Sequence, residues 1–180
     1  QEILSREVGW GGSPQAFDEE NTQWSEEYRQ LKELLTEKEY DAARSSTLNA
    51  HYTSPTVIRA MYGAIEKMGF RTGNVLEPSC GVGNFFGMLP DDMSGSRLYG
   101  VELDSITGRI ARQLYPDARI TISGFEKTQR RDFFDLAIGN VPFGGYKVSD
   151  KQFDKYNFMI HDYFFAKTLE QVRPGGVIAY

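Results

Sequence analysis

The sequence predicts an α/β fold, a mostly parallel sheet covered by helices on both faces and preceded by a helical arm, and two observations carry that expectation. From residue 51 onward short apolar runs alternate with segments of helical periodicity, and the first apolar run leads straight into a pair of closely spaced glycines. Strands separated by helices join through right-handed crossovers, which make neighbouring strands parallel.

The elements follow in order. Residues 1–24 hold Trp10, Gly11, Gly12, Pro14 and Trp24, an irregular arm expected to pack its aromatics elsewhere. From Ser25 to about Leu35 the residues Tyr28, Leu31, Leu34 and Leu35 recur at helical spacing, and Thr36 with Glu39 forms a capping-box pattern for a second short helix. After His51-Tyr52-Thr53, Ser54 suits a cap and Pro55 the first helical position. Val57, Ile58, Met61, Ile65 and Met68 then make one stripe that stops at Gly69. Strands are expected at 74–77, 98–102, 119–122 and 134–138, with a short helix ending near Pro90 and a longer one at 105–115. A helix at about 162–172 stops at Pro174-Gly175-Gly176, and a last strand starts at Val177, within which the chain ends. Together these make a Rossmann-like core at 51–180, incomplete after its fifth strand, and an arm at 1–50. In such sheets ligands bind beyond the carboxyl ends of the strands.

Composition narrows the function classes. One hundred and eighty residues with 40% apolar content bury one sizeable core. No apolar run approaches the roughly 20 residues that span a bilayer, so no membrane partner is expected. A single cysteine, Cys80, excludes an internal disulfide and fits a reducing cytoplasm. With only His51 and His161 besides, no Cys/His cluster has metal-ligand spacing, and no metal is expected. The net charge of -5 is uneven: residues 1–50 carry 11 acids and 5 bases, the remainder 14 and 15. The core is thus nearly neutral, and the acidic surplus of the arm is expected on solvated helix faces.

The segment Glu77-Pro78-Ser79-Cys80-Gly81-Val82-Gly83-Asn84-Phe85 sets an acid at a strand end and two glycines just after it. Glycine lets backbone approach a ligand closely. A nicotinamide fingerprint needs a third glycine where Phe86 stands, and a carboxylate four residues before Gly81 repels pyrophosphate while attracting a cationic amino end. S-adenosyl-L-methionine has that end. Cys80 is expected as a small turn residue. Nineteen residues after Gly83 the second strand ends at Glu102, followed by Leu103, where a carboxylate can accept hydrogen bonds from both ribose hydroxyls. Asp104 is expected as a helix cap.

Past the fourth strand the chain reads Asn140-Val141-Pro142-Phe143. This tetrapeptide resembles the Asn/Asp-Pro-Pro-Tyr/Phe motif of amino methyltransferases, and Glu77 to Phe85 resembles their cofactor motif. Thr53-Ser54-Pro55 upstream resembles a further cofactor motif, in the order typical of the gamma class of N6-adenine DNA methyltransferases. Residues 5–50, with Gly9-Trp10-Gly11-Gly12, and the later Ile160-His161-Asp162-Tyr163-Phe164-Phe165 are similar to the methyltransferase module of large helicase-methyltransferase proteins of phages, plasmids and conjugative elements. The resemblance implies an S-adenosylmethionine-dependent methyltransferase acting on adenine in DNA, with the target base flipped out. It also implies helicase and target-recognition regions outside this chain.

By the same resemblance Asn140 Oδ1 and the Val141 carbonyl accept hydrogen bonds from the adenine amino group, Pro142 stiffens the loop and Phe143 stacks on the target base. Asn140 also borders the cofactor, Thr53 contacts the methionine carboxylate, and Phe125 and Phe164 flank the cofactor's adenine ring, or else belong to the core. Many relatives carry an acid where this chain has Gly124; Glu126, another group or water then takes its place. The loop at 144–158 interleaves Tyr146, Phe153, Tyr156 and Phe158 with Lys147, Lys151 and Lys155, which suits base stacking and phosphate contact by Tyr146, Lys147 and Lys151 above all. His161 and Asp162 are expected to cap the following helix. Related motifs serve methyltransferases of RNA guanine and of protein glutamine, and a non-catalytic cofactor- or DNA-binding module is the alternative of a different class.

Overall fold

The structure, a computed structural model, describes residues 9–47 and 52–180. The expected boundary between arm and core, with His51, lies outside the described residues. Helix α1 (Ser25–Leu34) and helix α2 (Glu37–Ser46) form the arm, and α2 starts on the expected capping box between Thr36 and Glu39. Helix α3 (Pro55–Lys67) is capped by Ser54 with Pro55 in its first turn. There follow β1 (Asn74–Glu77), α4 (Asn84–Gly87), β2 (Arg97–Glu102), α5 (Ser105–Leu114), β3 (Arg119–Ile122), β4 (Phe134–Ile138), α6 (Ile160–Gln171) and β5 (Val172–Ala179).

The five strands form one parallel sheet in the order β3-β2-β1-β4-β5. The chain moves outward from β1 to β3, then returns to lay β4 on the other side of β1. Strand order therefore reverses between β1 and β4, and a crevice opens at their carboxyl ends. Both faces are buried, which is why the strands read as continuous apolar runs. Val75, Leu136 and Ile138 pack with Ile58, Tyr62 and Ile65 of α3 in one cluster, whereas Leu76 and Ala137 join Tyr99, Phe125, Tyr163 and Phe164 in another. The arm has a small core of its own, in which Trp10 meets Phe17 edge-on at 5.4 Å and Phe17 meets Tyr40 at 5.3 Å.

Several expectations are corrected. The core stripe of α3 runs Ile58, Tyr62, Ile65, while Val57 and Met68 are exposed, because the face that meets the sheet lies one position off the most apolar reading. Leu34 points to solvent, and Trp24 remains partly exposed. His161 and Asp162 lie inside the first turn of α6 rather than capping it; the helix starts at Ile160, two residues earlier than expected, where Ile160 is drawn into the core. Strand β5 starts at Val172, not Val177. Phe134 pairs with Val172 and Leu136 with Val177, so residues 173–176 bulge out, with Gly175 at φ +79° and Arg173 paired to Asp135 of β4.

Candidate cofactor site

The turn after β1 is tied to the ends of both neighbouring strands. The Cys80 amide donates to the Val101 carbonyl (2.9 Å) and the Gly81 amide to Glu102 Oε2 (2.8 Å). On the other side Ser79 Oγ donates to the Asn140 carbonyl (2.9 Å). Gly81 and Gly83 hold φ of +54° and +87°, conformations that side-chain-bearing residues rarely adopt. A Cβ on Gly83 would lie 2.6 Å from the Tyr115 ring, and one on Gly81 2.8 Å from the Tyr52 ring.

One cleft gathers most of the expected residues. Glu77, Pro78, Ser79, Cys80 and Gly81 line it from β1 and its turn, Asn84 and Phe85 from α4, and Glu102 and Leu103 from the end of β2. Thr53, Phe125, Phe164, Asn140, Pro142 and Tyr146 complete the expected part of the wall. Gly83, Val141, Phe143, Lys147 and Lys151 lie off it. Val141 is buried in the sheet core, and Phe143 is 55% exposed. Lys147 pairs with Asn157 Oδ1 at the rim of a second hollow near Phe153 and Phe158, and Lys151 is exposed.

Two buried polar atoms in the cleft, Glu77 Oε2 and Thr53 Oγ1, have no hydrogen-bond partner among the described residues. An unpaired buried carboxylate is costly. Burial pushes the Glu77 carboxyl well above the ordinary carboxylate range, and the nearby Glu102 adds to it. Glu102 is pushed up to about 7 by burial, against the opposing pull of the Asp104 and Gly81 amides that donate to it. Burial, with Glu77 and Glu102 nearby, raises the Cys80 thiol as well, which fits a packed turn residue rather than an activated thiolate. Asp104 caps α5 through the Ile106 and Thr107 amides.

Phe125 and Phe164 stack on each other at 4.9 Å and 26°, both buried. They share one wall of the cleft and leave no slot between their rings. The Glu126 carboxylate folds back into the space that a side chain on Gly124 would fill, in direct contact with that position, and it lines the cleft. Sequence reasoning missed Tyr52, Thr107 and Tyr163, and also Ala42, Ser45 and Ser46, which α2 brings to the cleft from the arm. Tyr52 adjoins the Thr53 motif and could have been suspected from it; small residues on an arm helix carry no such signal. Among the described residues no side-chain cluster could hold a metal ion, and no helix is long and apolar enough to cross a membrane.

The donor set fits S-adenosylmethionine: an orphaned carboxylate for an ammonium, an orphaned hydroxyl for a carboxylate, a glutamate at a strand end for ribose hydroxyls and aromatic walls for a purine.

No protein-family model matches the chain. It is 32% identical over 136 residues to the defense against restriction protein B of Escherichia phage P1, matching 72% of this chain and 6% of that protein. It is 26% identical over 151 residues to the modification methylase CviBIII of Paramecium bursaria Chlorella virus NC1A, matching 80% of this chain and 40% of that protein. The chain thus spans well under half of either relative. Among solved structures it superposes with a TM-score of 0.57 and 16% identity on a protein of Listeria monocytogenes described as a class I S-adenosylmethionine-dependent methyltransferase, covering 89% of this chain and 58% of that one. The sheet order, the cleft and these likenesses agree: the chain has the Rossmann-like fold of class I S-adenosylmethionine-dependent methyltransferases, and its sequence is similar to those of the phage and viral proteins just described.

Proposed function

We propose that the chain is the catalytic core of a DNA methyltransferase that modifies the exocyclic N6 amino group of adenine. The observation that carries this reading is the hydrogen bond from Ser79 to Asn140, which sets the Asn140-Val141-Pro142-Phe143 turn against the cofactor turn at the switch point of the sheet. The relatives' names, a defense against restriction protein and a modification methylase, support DNA as the substrate.

When bound, the cofactor supplies a sulfonium methyl that is already electrophilic. The adenine nitrogen is a poor nucleophile, because its lone pair is delocalised into the ring, so alignment and local polarity carry the rate. Glu77 holds the cofactor's ammonium, Thr53 its carboxylate and Glu102 its ribose hydroxyls. Glu126, standing where Gly124 lacks a side chain, accepts from the cofactor's adenine amino group. Asn140 Oδ1 and the Val141 carbonyl accept from the target amino group, which makes its nitrogen more pyramidal and turns the lone pair toward the methyl. The excess proton on the methylated nitrogen passes to solvent at the open mouth of the cleft. Pro142 stiffens this turn. Phe143, exposed beside the cleft, stacks on a base swung out of the duplex, while Tyr146, Lys147 and Lys151 meet the strand around it. Helicase and target-recognition regions of a longer protein would supply DNA handling, and residues 51–180 would act as the catalytic unit.

The test incubates full-length protein with isotope-labelled S-adenosylmethionine and DNA, then identifies the labelled nucleoside by mass spectrometry. N6-methyldeoxyadenosine that disappears with Asn140→Ala is expected. Label in RNA, protein or cytosine, or an Asn140→Ala variant as active as wild type, overturns the reading.

A further inference from the structure

We propose that α2 of the arm is a wall of the cofactor pocket, and that Ala42, Ser45 and Ser46 contact the bound cofactor and limit how fast it leaves. This rests on the cleft being the S-adenosylmethionine site.

Helix α2 has two working faces. Tyr40, Ala43 and Thr47, at spacings of three and four, are buried in the arm's own core, and the Gly12 amide donates to the Thr47 carbonyl (3.1 Å) to close it. Ala42, Ser45 and Ser46, also at spacings of three and four and therefore on one side of the helix, line the cleft instead. Their small side chains let the helix backbone approach without filling the space a ligand needs. The orphaned Glu77 Oε2 and Thr53 Oγ1 in the same cleft independently support a ligand in this space.

An ion pair to α5 holds α2 along the cleft. Arg109 pairs with Glu39 Oε1 at 2.5 Å, while Glu39 Oε2 closes the capping box at Thr36. The first turn of α5, with Asp104 and Thr107, lines the cleft directly after Glu102. Helix α2 therefore overhangs the end where Glu102 meets the ribose, and its contacts are with the nucleoside half of the cofactor. The attachment is weak: Arg109 is 60% exposed in this pair, and exposed ion pairs contribute little and are screened by salt. The arm's core is separate from the clusters that bury the sheet. The wall can thus swing away without disturbing the strands, and its opening sets the exit rate.

The experiment preloads the chain with tritiated S-adenosylmethionine, chases with excess unlabelled cofactor and follows dissociation by filtration. Arg109→Glu, which repels Glu39, is expected to speed dissociation three- to tenfold, and Arg109→Lys to stay within twofold of wild type. Raised salt should speed release from wild type but not from Arg109→Glu. Ser45→Trp, at an exposed position that tolerates bulk, is expected to weaken equilibrium affinity at least tenfold with an unchanged apo melting temperature. Wild type that binds while Arg109→Glu and Ser45→Trp leave both rate and affinity unaltered overturns the proposal and leaves the cofactor site standing. Wild type that binds no cofactor at millimolar concentration overturns both.

Discussion

Ser79 Oγ donates a hydrogen bond to the backbone carbonyl of Asn140 across 2.9 Å. The two residues are 61 apart in sequence and stand just past the ends of β1 and β4, adjacent parallel strands on which Val75 is level with Leu136. The turn after β1 and the turn after β4 are thereby one unit. Removing the bond with Ser79→Ala should loosen the alignment more than the cofactor site. Turnover is expected to fall by roughly tenfold, the scale of small misplacements of reacting groups, with cofactor affinity within threefold. Single-turnover rates and a binding titration check it.

The acids of the cleft make apo stability fall as pH rises. The Glu102 carboxyl is pushed up from 4.5 to about 7 by burial. A raised carboxyl contributes stability that is complete below the unfolded value and is lost as pH climbs through the folded one. Glu102→Gln, neutral at every pH, escapes this loss. Its melting temperature relative to wild type is therefore expected to climb between about pH 4.5 and pH 7 and to level off above that. Thermal melts of the two apo proteins across that range check it, and a constant or shrinking difference contradicts it. Glu77 is shifted in the same direction, by burial and by the nearby Glu102.

A buried ion pair holds the loop after the Asn140 turn. Lys167 Nζ lies 2.8 Å from Asp150 Oδ2 with both side chains at most 10% exposed, Tyr163 donates to the same oxygen, and Lys167 also reaches the Glu126 carbonyl. Lys167→Met strands the Asp150 carboxylate and is expected to destabilise the fold by about 3–5 kcal/mol. Adding Asp150→Asn should recover part of that loss. Urea unfolding of the single and double variants measures both.

Gly83 needs its missing side chain twice over, for its positive φ and for the Tyr115 ring that packs on it. Gly83→Ala is expected to cost about 1–3 kcal/mol and to weaken cofactor binding with it. A companion Tyr115→Leu should relieve only the packing part, leaving the backbone strain, as paired urea titrations would resolve.

How much of this was legible in the sequence depends on the range of the forces involved. The strands at 74–77, 119–122 and 134–138 and the Thr36–Glu39 box are read to the residue, because apolar runs and caps act locally. The start of β5 is not, since the bulge at 173–176 is held by Asp135 from another strand. The burial of Tyr62 in place of Val57 was hidden because several apolar residues on α3 compete for one face. At the site, Glu77, Gly81 and Glu102 announce themselves by charge and by glycine. The fold-back of Glu126 and the approach of Ala42, Ser45 and Ser46 come from tertiary packing, which leaves no mark on residue type.

Calorimetric titration of the chain with S-adenosylmethionine tests most directly whether Glu77 meets the cofactor's ammonium. Wild type is expected to bind, while Glu77→Ala, which removes the buried unpaired carboxylate of the cleft, binds at least a hundredfold more weakly. A wild type that takes up no cofactor, or a Glu77→Ala variant that binds as tightly as wild type, would contradict it.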